Sequence, residues 1–250
     1  MAEKSFIAWG KSEGTRAMLN DVSQKKAYFN NYWGTRDISS ADARSHQRAT
    51  FVESLLHKDK GQKIIDVGCG RGTILIYLRQ RGYVVSGCDI STDTINELTR
   101  HGYDAFICDL ESDPLPGKYD IIMCLEVLQQ VFDSVKIVRK FKQALYANGC
   151  LIISVPNEFH LLSRIKLLLG KSHLGHFEES HIRLFSPKRA KELFSITGLT
   201  IIKAIPVSIF PPQWKFMQPL GKMLARLMPG LFSLSQIYML EPNEYNTDKI

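Results

Sequence analysis

The sequence predicts an α/β fold: one domain built on an open, doubly wound, mostly parallel sheet. Three observations carry this. Strand-like apolar runs alternate with helical patterns from residue 63 to 155, and alternation with short connections makes crossover units and parallel strands. The first strand runs directly into a glycine-rich turn, "KIIDVGCGRGT" at 63–73, the kind of turn that sits at the carboxyl end of such a sheet. The chain has 250 residues and 44% hydrophobic content, enough for one substantial core.

Each element follows from its own residues. Ala41–Leu56 has a helical pattern behind a polar, aromatic-dotted lead-in. Lys63–Val67 reads as a short buried strand and Thr73–Arg81 as a helix. Tyr83–Cys88 is the second strand, and Ser91–His101 a helix with Ser91 or Thr92 as its N-cap. Ala105–Cys108 and Tyr119–Cys124 are the third and fourth strands, Val127–Tyr146 is mostly helix, and the turn Ala147-Asn148-Gly149 leads into a fifth strand, Cys150–Val155. After Pro156 the alternation breaks. Residues 157–187 form a His-rich basic insertion containing the amphipathic piece "HLLSRIKLLLG". Lys188–Thr197 reads as helix, Leu199–Ile205 as strand, and Gln236–Leu240 as a last strand beyond a second insertion, 206–235. The division expected is a lead-in over 1–60, a core over 61–205 and a C-terminal cap over 206–250.

Composition narrows the function classes. No apolar run approaches the roughly 18–20 residues that cross a bilayer, and Met1 to Gly14 lacks the apolar stretch of a secretory signal. The default location is therefore the cytosol. Cys69, Cys88, Cys108, Cys124 and Cys150 are odd in number and contain no C-x-x-C pair, which argues for reduced thiols packed as small hydrophobes. A net charge of +7 permits nucleic acid, anionic membrane or acidic substrates without choosing among them.

The ligand is read from the strand ends. The run Gly68-Cys69-Gly70-Arg71-Gly72 places its third glycine one position too early for a dinucleotide fingerprint, and no lysine follows to make a P-loop. Asp89, about 20 residues on, ends the second strand and can accept from ribose hydroxyls. Asp109 ends the third strand, where a carboxylate can take the exocyclic amine of an adenine. Asp66, just before the glycines, would repel a pyrophosphate but suits an ammonium group. Together these residues describe an adenosine with an amino-acid tail and no phosphates, which is S-adenosylmethionine (SAM).

In order and spacing, "IIDVGCGRG", "VVSGCDIS", "FICDLES", "YDIIMCLEVLQQV" and "ANGCLIISVPN" resemble the motifs of class I SAM-dependent methyltransferases. The likeness covers residues 44–205 and is nearest to the ubiquinone-biosynthesis type of small-molecule O-methyltransferase. It implies a Rossmann-like, seven-stranded sheet. It also implies that Gly68 and Gly70 face the methionine end of the cofactor, Asp89 holds the ribose, Asp109 and the Leu110 backbone hold the adenine, and Leu125 offers backbone near the methionine amine. Cys69 and Ile90 complete the cofactor-binding set with Asp66. Arg48, on the helix before the first strand, matches an arginine that pairs with the cofactor carboxylate; Arg44, one helical turn earlier, competes for that role. Gly72 serves either the cofactor or helix packing.

Methyl transfer from a sulfonium depends mainly on alignment, and a hydroxyl nucleophile also benefits from a base. Quinone-type relatives often carry Glu-x-x-Glu-His after the fourth strand, holding a divalent metal in some; here Glu126 is followed by Gln129 and Gln130. Neutral amides are poor ligands for hard cations, so no metal is expected. Within "HFEESHIRLFSP", His181 is the first candidate base and His176 the second, with a packing role as the alternative for His181. Tyr28, Tyr32 and Trp33 either form a lid or cover a sheet edge. Residues 206–235 mix large apolar side chains with Lys215, Lys222 and Arg226, which suits either a pocket cap or a peripheral contact with an anionic membrane, as at the inner face of a cytoplasmic membrane. The acceptor expected is a hydroxyl on a small or lipid-soluble, quinone-like compound. A nucleic-acid methyltransferase and a non-catalytic SAM-binding regulator are the alternatives; no N-P-P-Y motif follows the fourth strand to favour the former. Oligomeric state is not legible.

Overall fold

The structure, a computed structural model, describes residues 22–34, 43–56, 61–171 and 181–243. Seven strands join in one sheet: β1 (Ile64–Val67), β2 (Val85–Asp89), β3 (Ala105–Ile107), β4 (Tyr119–Leu125), β5 (Leu145–Pro156), β6 (Leu199–Ser208) and β7 (Ser233–Pro242). Their order is β3-β2-β1-β4-β5-β7-β6. The five on the β3 side run parallel, while β7 is antiparallel to both neighbours. From β1 the chain winds outward to β3, then returns to place β4 on the other flank of β1. That reversal opens a crevice beyond the carboxyl ends of β1 and β4.

Successive strand residues point to opposite faces, and this divides the core in two. Ile65, Val67, Ile122, Cys124 and Ile153 pack on one face with helices α5 (Ser134–Gln143) and α7 (Pro187–Ile196), through Ile137, Val138, Phe141, Leu193 and Phe194. Ile64, Ile121, Met123 and Ile152 pack on the other with α2 (Ala43–Glu53) and α3 (Thr73–Arg79), through Ala49, Val52, Leu75 and Leu78. Strands buried on both faces read as continuous apolar runs, as β1 and β4 do. Phe141 is fully buried, and its truncation to Ala would cost about 3–5 kcal/mol.

Short polar side chains start the helices. Ser91 caps α4 (Thr92–Arg100) by accepting from the Thr94 N–H at 3.4 Å. Asp133 caps α5 through the Lys136 N–H at 2.9 Å, and Ser186 caps α7 with Pro187 in its first turn. The strong Asp133 cap also explains where the sequence expectation fails. Only a single 3₁₀ turn, Leu128–Gln130, lies between Val127 and α5, because Val131 is extended ahead of the cap. At the other end the pairing passes from Tyr119–Leu145 to Ile121–Cys150, so the turn Ala147–Gly149 is a bulge within β5 rather than a break before it.

The aromatic lead-in contains helix α1 (Val22–Gly34). The first insertion contains α6 (Leu161–Leu168); the second contains α8 (Gln218–Leu227) and the short α9 (Pro229–Phe232). The last strand is longer than the Gln236–Leu240 expected and sits between β5 and β6. A strand inserted between β5 and β6, with one neighbour far from it in sequence, leaves no local signal of its place. All five cysteines are free, four of them buried.

Candidate active site

A cavity of about 740 Å³ lies over the carboxyl ends of β1, β2, β3 and β4. Its walls include Asp66, Gly68, Cys69, Asp89, Ile90, Asp109, Leu110, Leu125, Arg48 and His181. Of the described residues predicted to form the site, only Gly70 is not in the wall. The His176 candidate and the side chain of Arg44 lie outside the described residues.

The glycine turn is held to β2 by its backbone: the N–H groups of Gly68 and Cys69 both donate to the Cys88 carbonyl, at 2.8 and 3.0 Å. Gly68 has φ +70°, and a Cβ there would lie 2.4 Å from Val127, so the loops after β1 and β4 touch through a missing side chain. Gly70 has φ +51°, and its Cβ would lie 2.5 Å from the Trp33 ring. Its bareness therefore makes room for α1. Gly72 makes the equivalent allowance for Leu98 of α4.

Asp89 ties this turn to the next strand end. One carboxylate oxygen accepts from the Gly70 N–H and the other from the Ser91 N–H, both at 2.9 Å. Each oxygen retains a further lone pair, so the group can still accept from a ligand. Burial raises the Asp89 pKa, against the pull of these backbone donors. Asp66 is 2% exposed, and burial, then the nearby Asp89, lifts its pKa to about 7, opposed by the Leu75 N–H and by Arg48. A pair of buried carboxylates with so little compensation suits a cationic ligand. Asp109 accepts from the Glu111 N–H at 3.0 Å, and Lys25 of α1 lies 3.9 Å from its other oxygen while pairing with Glu111.

Across the cavity, β4 ends in a strained turn. Glu126 has φ +59°, the one non-glycine residue with positive φ among those described. Ser154 of β5 secures it, accepting from the Glu126 N–H at 3.0 Å and donating to its carboxylate at 2.8 Å. Gln129 and Gln130 both donate side-chain amides to the Glu126 carbonyl, at 2.7 and 3.3 Å. The amides thus brace the turn, and among the described residues no group of three or more His, Cys, Asp or Glu could hold a metal ion. Arg48 lies 3.8 Å from the Glu126 carboxylate, and its buried Nε has no partner among the described residues. A buried donor in that state is costly, and a ligand carboxylate would satisfy it.

Helix α1 roofs the cavity with Tyr28, Phe29, Tyr32 and Trp33, which contact one another edge-on or stacked. Asn30 accepts from Ser91 at 2.8 Å, and Arg71 reaches the Trp33 carbonyl. None of the α1 residues is fully buried, so the roof is held by its edges. His181 borders the cavity with Nδ1 2.9 Å from the carboxylate of Glu158, which follows β5. Sequence reading missed Lys25 and Glu111 as parts of this wall and Glu158 as the partner of His181; Gln129, weighed there only as a metal position, also lines the cavity. Position alone marks Glu158, two residues past a parallel strand's end; Lys25 and Glu111 carry no signal in the sequence.

This site fits SAM. The buried carboxylates at Asp66 and Asp89 are able to accept from an ammonium or hydroxyl groups, and the Arg48 Nε is able to donate to a carboxylate. With the doubly wound sheet and its antiparallel β7, it defines a class I SAM-dependent methyltransferase. The chain belongs to a methyltransferase-domain family, whose model matches residues 41–204. It is similar to a ubiquinone biosynthesis O-methyltransferase of Idiomarina loihiensis, 26% identical over 81% of this chain and 88% of that one. A protein of the same description from Rickettsia typhi is 28% identical over 61% of this chain and 67% of its own length. Among solved structures, magnesium protoporphyrin IX methyltransferase from Synechocystis PCC 6803, with bound SAH, covers 88% of this chain and 99% of that one at TM-score 0.64 and 21% identity. A SAM-dependent methyltransferase from Archaeoglobus fulgidus covers 79% and 94% at TM-score 0.54 and 17% identity.

Proposed function

We propose that this methyltransferase modifies a hydroxyl group of a small, lipid-soluble acceptor of the quinone-like kind, in the cytoplasm and at the inner face of a membrane. One observation carries the reading. The cavity of about 740 Å³ continues past the strand-end carboxylates to an aromatic roof and His181, which is room for a cofactor and one small ring but not for a polymer. The curated relatives quoted above, described as ubiquinone biosynthesis O-methyltransferases, support the same acceptor class.

In this reading Asp89 accepts from the ribose hydroxyls, and Asp109 with the Leu110 backbone receives the adenine. Asp66 and the Leu125 backbone face the ammonium, and Arg48 the carboxylate. Gly68, Cys69 and Ile90 form the close wall. When bound, SAM supplies an electrophilic methyl group for in-line displacement. The chain's own contribution is alignment between the glycine turn and the roof, exclusion of water by α1, and a proton acceptor at His181.

Lipid access has its own support. Leu168 and Leu169 of the first insertion, and Trp214, Phe216, Met223 and Leu227 of the second, are exposed, Phe216 to 81%. Neither 161–171 nor 206–235 contains an acidic residue, whereas Arg164, Lys166, Lys171, Lys215, Lys222 and Arg226 lie among the apolar ones. Asn157 joins the two insertions by donating to the carbonyls of Pro229, Gly230 and Ser233 at 3.3, 3.2 and 2.9 Å. Basic, apolar and without acids, this surface complements an anionic bilayer. Among the described residues no helix is long and apolar enough to cross a membrane.

The test is to incubate the protein with methyl-labelled SAM and a lysate of its source organism, then partition the products. Label in the organic phase is the expected result. Label confined to the aqueous phase or to nucleic acid would refute a lipid-soluble acceptor.

A further inference from the structure

Glu158 is an acid almost removed from water, 7% exposed, at a point where nothing in the cofactor site needs it. Its backbone N–H donates to the Phe185 carbonyl at 3.0 Å, and its carboxylate lies 2.9 Å from His181 Nδ1. Burying a carboxylate costs several kcal/mol unless a partner compensates, and an ionised carboxylate can only accept. The ring nitrogen facing it therefore carries the hydrogen.

The backbone beyond His181 is fixed as well. The N–H groups of Ile182 and Arg183 donate to the Gln129 carbonyl at 2.8 and 3.0 Å. Gln129 is itself locked, its amide nitrogen on the Glu126 carbonyl. The imidazole is thus held from two strand ends, by the turn after β4 through its backbone and by the turn after β5 through Nδ1. A histidine that merely filled a surface position would need neither.

We propose that Glu158 is a positioning residue that holds His181 as the Nδ1–H tautomer, so that Nε2 is the basic nitrogen presented to the acceptor end of the cavity. The inference rests on the hydroxyl-methylation reading and sharpens its substrate class: the acceptor oxygen is protonated in the ground state, a hydroxyl and not a carboxylate, which would need no base. As the acceptor oxygen bonds to the methyl carbon, the carbon–sulfur bond breaks with its electron pair retained on sulfur. The hydroxyl proton passes to His181 Nε2, so one cation replaces another and the atoms balance. Orientation of an imidazole by a buried carboxylate is a recurrent way to fix which nitrogen acts.

The first readout needs no turnover. Long-range ¹H–¹⁵N spectra of the full chain at pH 8.5, with His181 assigned by the signal lost in His181→Asn, report the tautomer. Wild type and Glu158→Gln, whose amide oxygen still accepts, show Nδ1–H; Glu158→Ala shifts the population toward Nε2–H. The second readout uses the labelled extract described above. Glu158→Ala lowers kcat by about 10–100-fold, within the roughly 10²–10⁴ a general base contributes. It leaves the KM for SAM unchanged and adds nothing to His181→Ala in the double variant. An Nε2–H tautomer in wild type, a tautomer indifferent to Glu158→Ala, or losses that multiply in the double variant would each overturn the proposal. Absence of label from any hydroxyl acceptor overturns the methylation reading instead, and the tautomer still judges Glu158.

Discussion

On the proposed reading the cavity divides into a cofactor half and an acceptor half, built on different principles. The cofactor half is made of strand ends: the turn after β1, Asp89 after β2 and Asp109 after β3, each set by a few contiguous residues and tied to its neighbour by backbone hydrogen bonds. The acceptor half is assembled from distant segments. Trp33 meets Gly70, Lys25 meets Glu111, His181 meets Glu158, and Ile182 and Arg183 meet Gln129 across long stretches of chain. A half made of strand termini is as rigid as the sheet. A half made of a roof held at its edges and two inserted segments can vary its ligand without disturbing the core.

The sharpest way to probe the difference is Asp66. Its carboxyl titrates near pH 7 in the free protein because burial disfavours its charge. The sign follows: its folded pKa lies above the unfolded value of 3.8, so the folded state holds the proton longer and this group's contribution to stability declines as pH rises from about 4 to 7. A cationic ligand favours the ionised form, so SAM affinity should strengthen as pH rises through 7, with proton release visible by calorimetry in two buffers. Asp66→Asn should abolish that dependence and weaken SAM binding at pH 8 by roughly tenfold or more, about 1.4 kcal/mol per factor of ten. It should also raise the apo melting temperature at pH 8 but not at pH 4.

Next in size is Gly70→Ala. A left-handed backbone costs a residue with a Cβ about 1–2 kcal/mol, and the added carbon strikes Trp33. SAM affinity should fall about tenfold by the same arithmetic, and Trp33→Ala in the same chain should restore only the steric part. Recovery to wild-type affinity would show that φ at Gly70 does not matter. Smaller is Phe216→Ser with Leu227→Ser, which should reduce sedimentation with phosphatidylglycerol vesicles several-fold while leaving SAM affinity intact. Equal sedimentation would dismiss the membrane face. Smallest is EDTA, for which no change in turnover is expected; loss of activity restored by magnesium would contradict the bracing role given to Gln129 and Gln130.

How much could be read beforehand follows the same division. Continuous apolar runs marked β1 and β4, and Ser91 marked a helix start, because those signals are local. Asp66, Asp89 and Asp109 were legible as positions on the cavity wall because a parallel sheet puts every strand's carboxyl end on one edge. The helix expected over Val127–Tyr146 was too long, since apolar spacing does not show the left-handed Glu126 or the extended Val131. Trp33 against Gly70, and Glu158 against His181, are long-range pairings with no periodicity to betray them. The sequence showed that Gly70 must be bare, but not for which neighbour.

The separation of the two halves can be measured without knowing the acceptor, by titrating S-adenosylhomocysteine into wild type, Asp89→Ala and His181→Ala by calorimetry. Asp89→Ala leaves the Gly70 and Ser91 N–H groups without their acceptor, at roughly 1–3 kcal/mol each, and should weaken binding about 100-fold or more. His181→Ala should bind as wild type does. Comparable losses in both variants, or none in Asp89→Ala, would contradict a cavity divided between cofactor and acceptor.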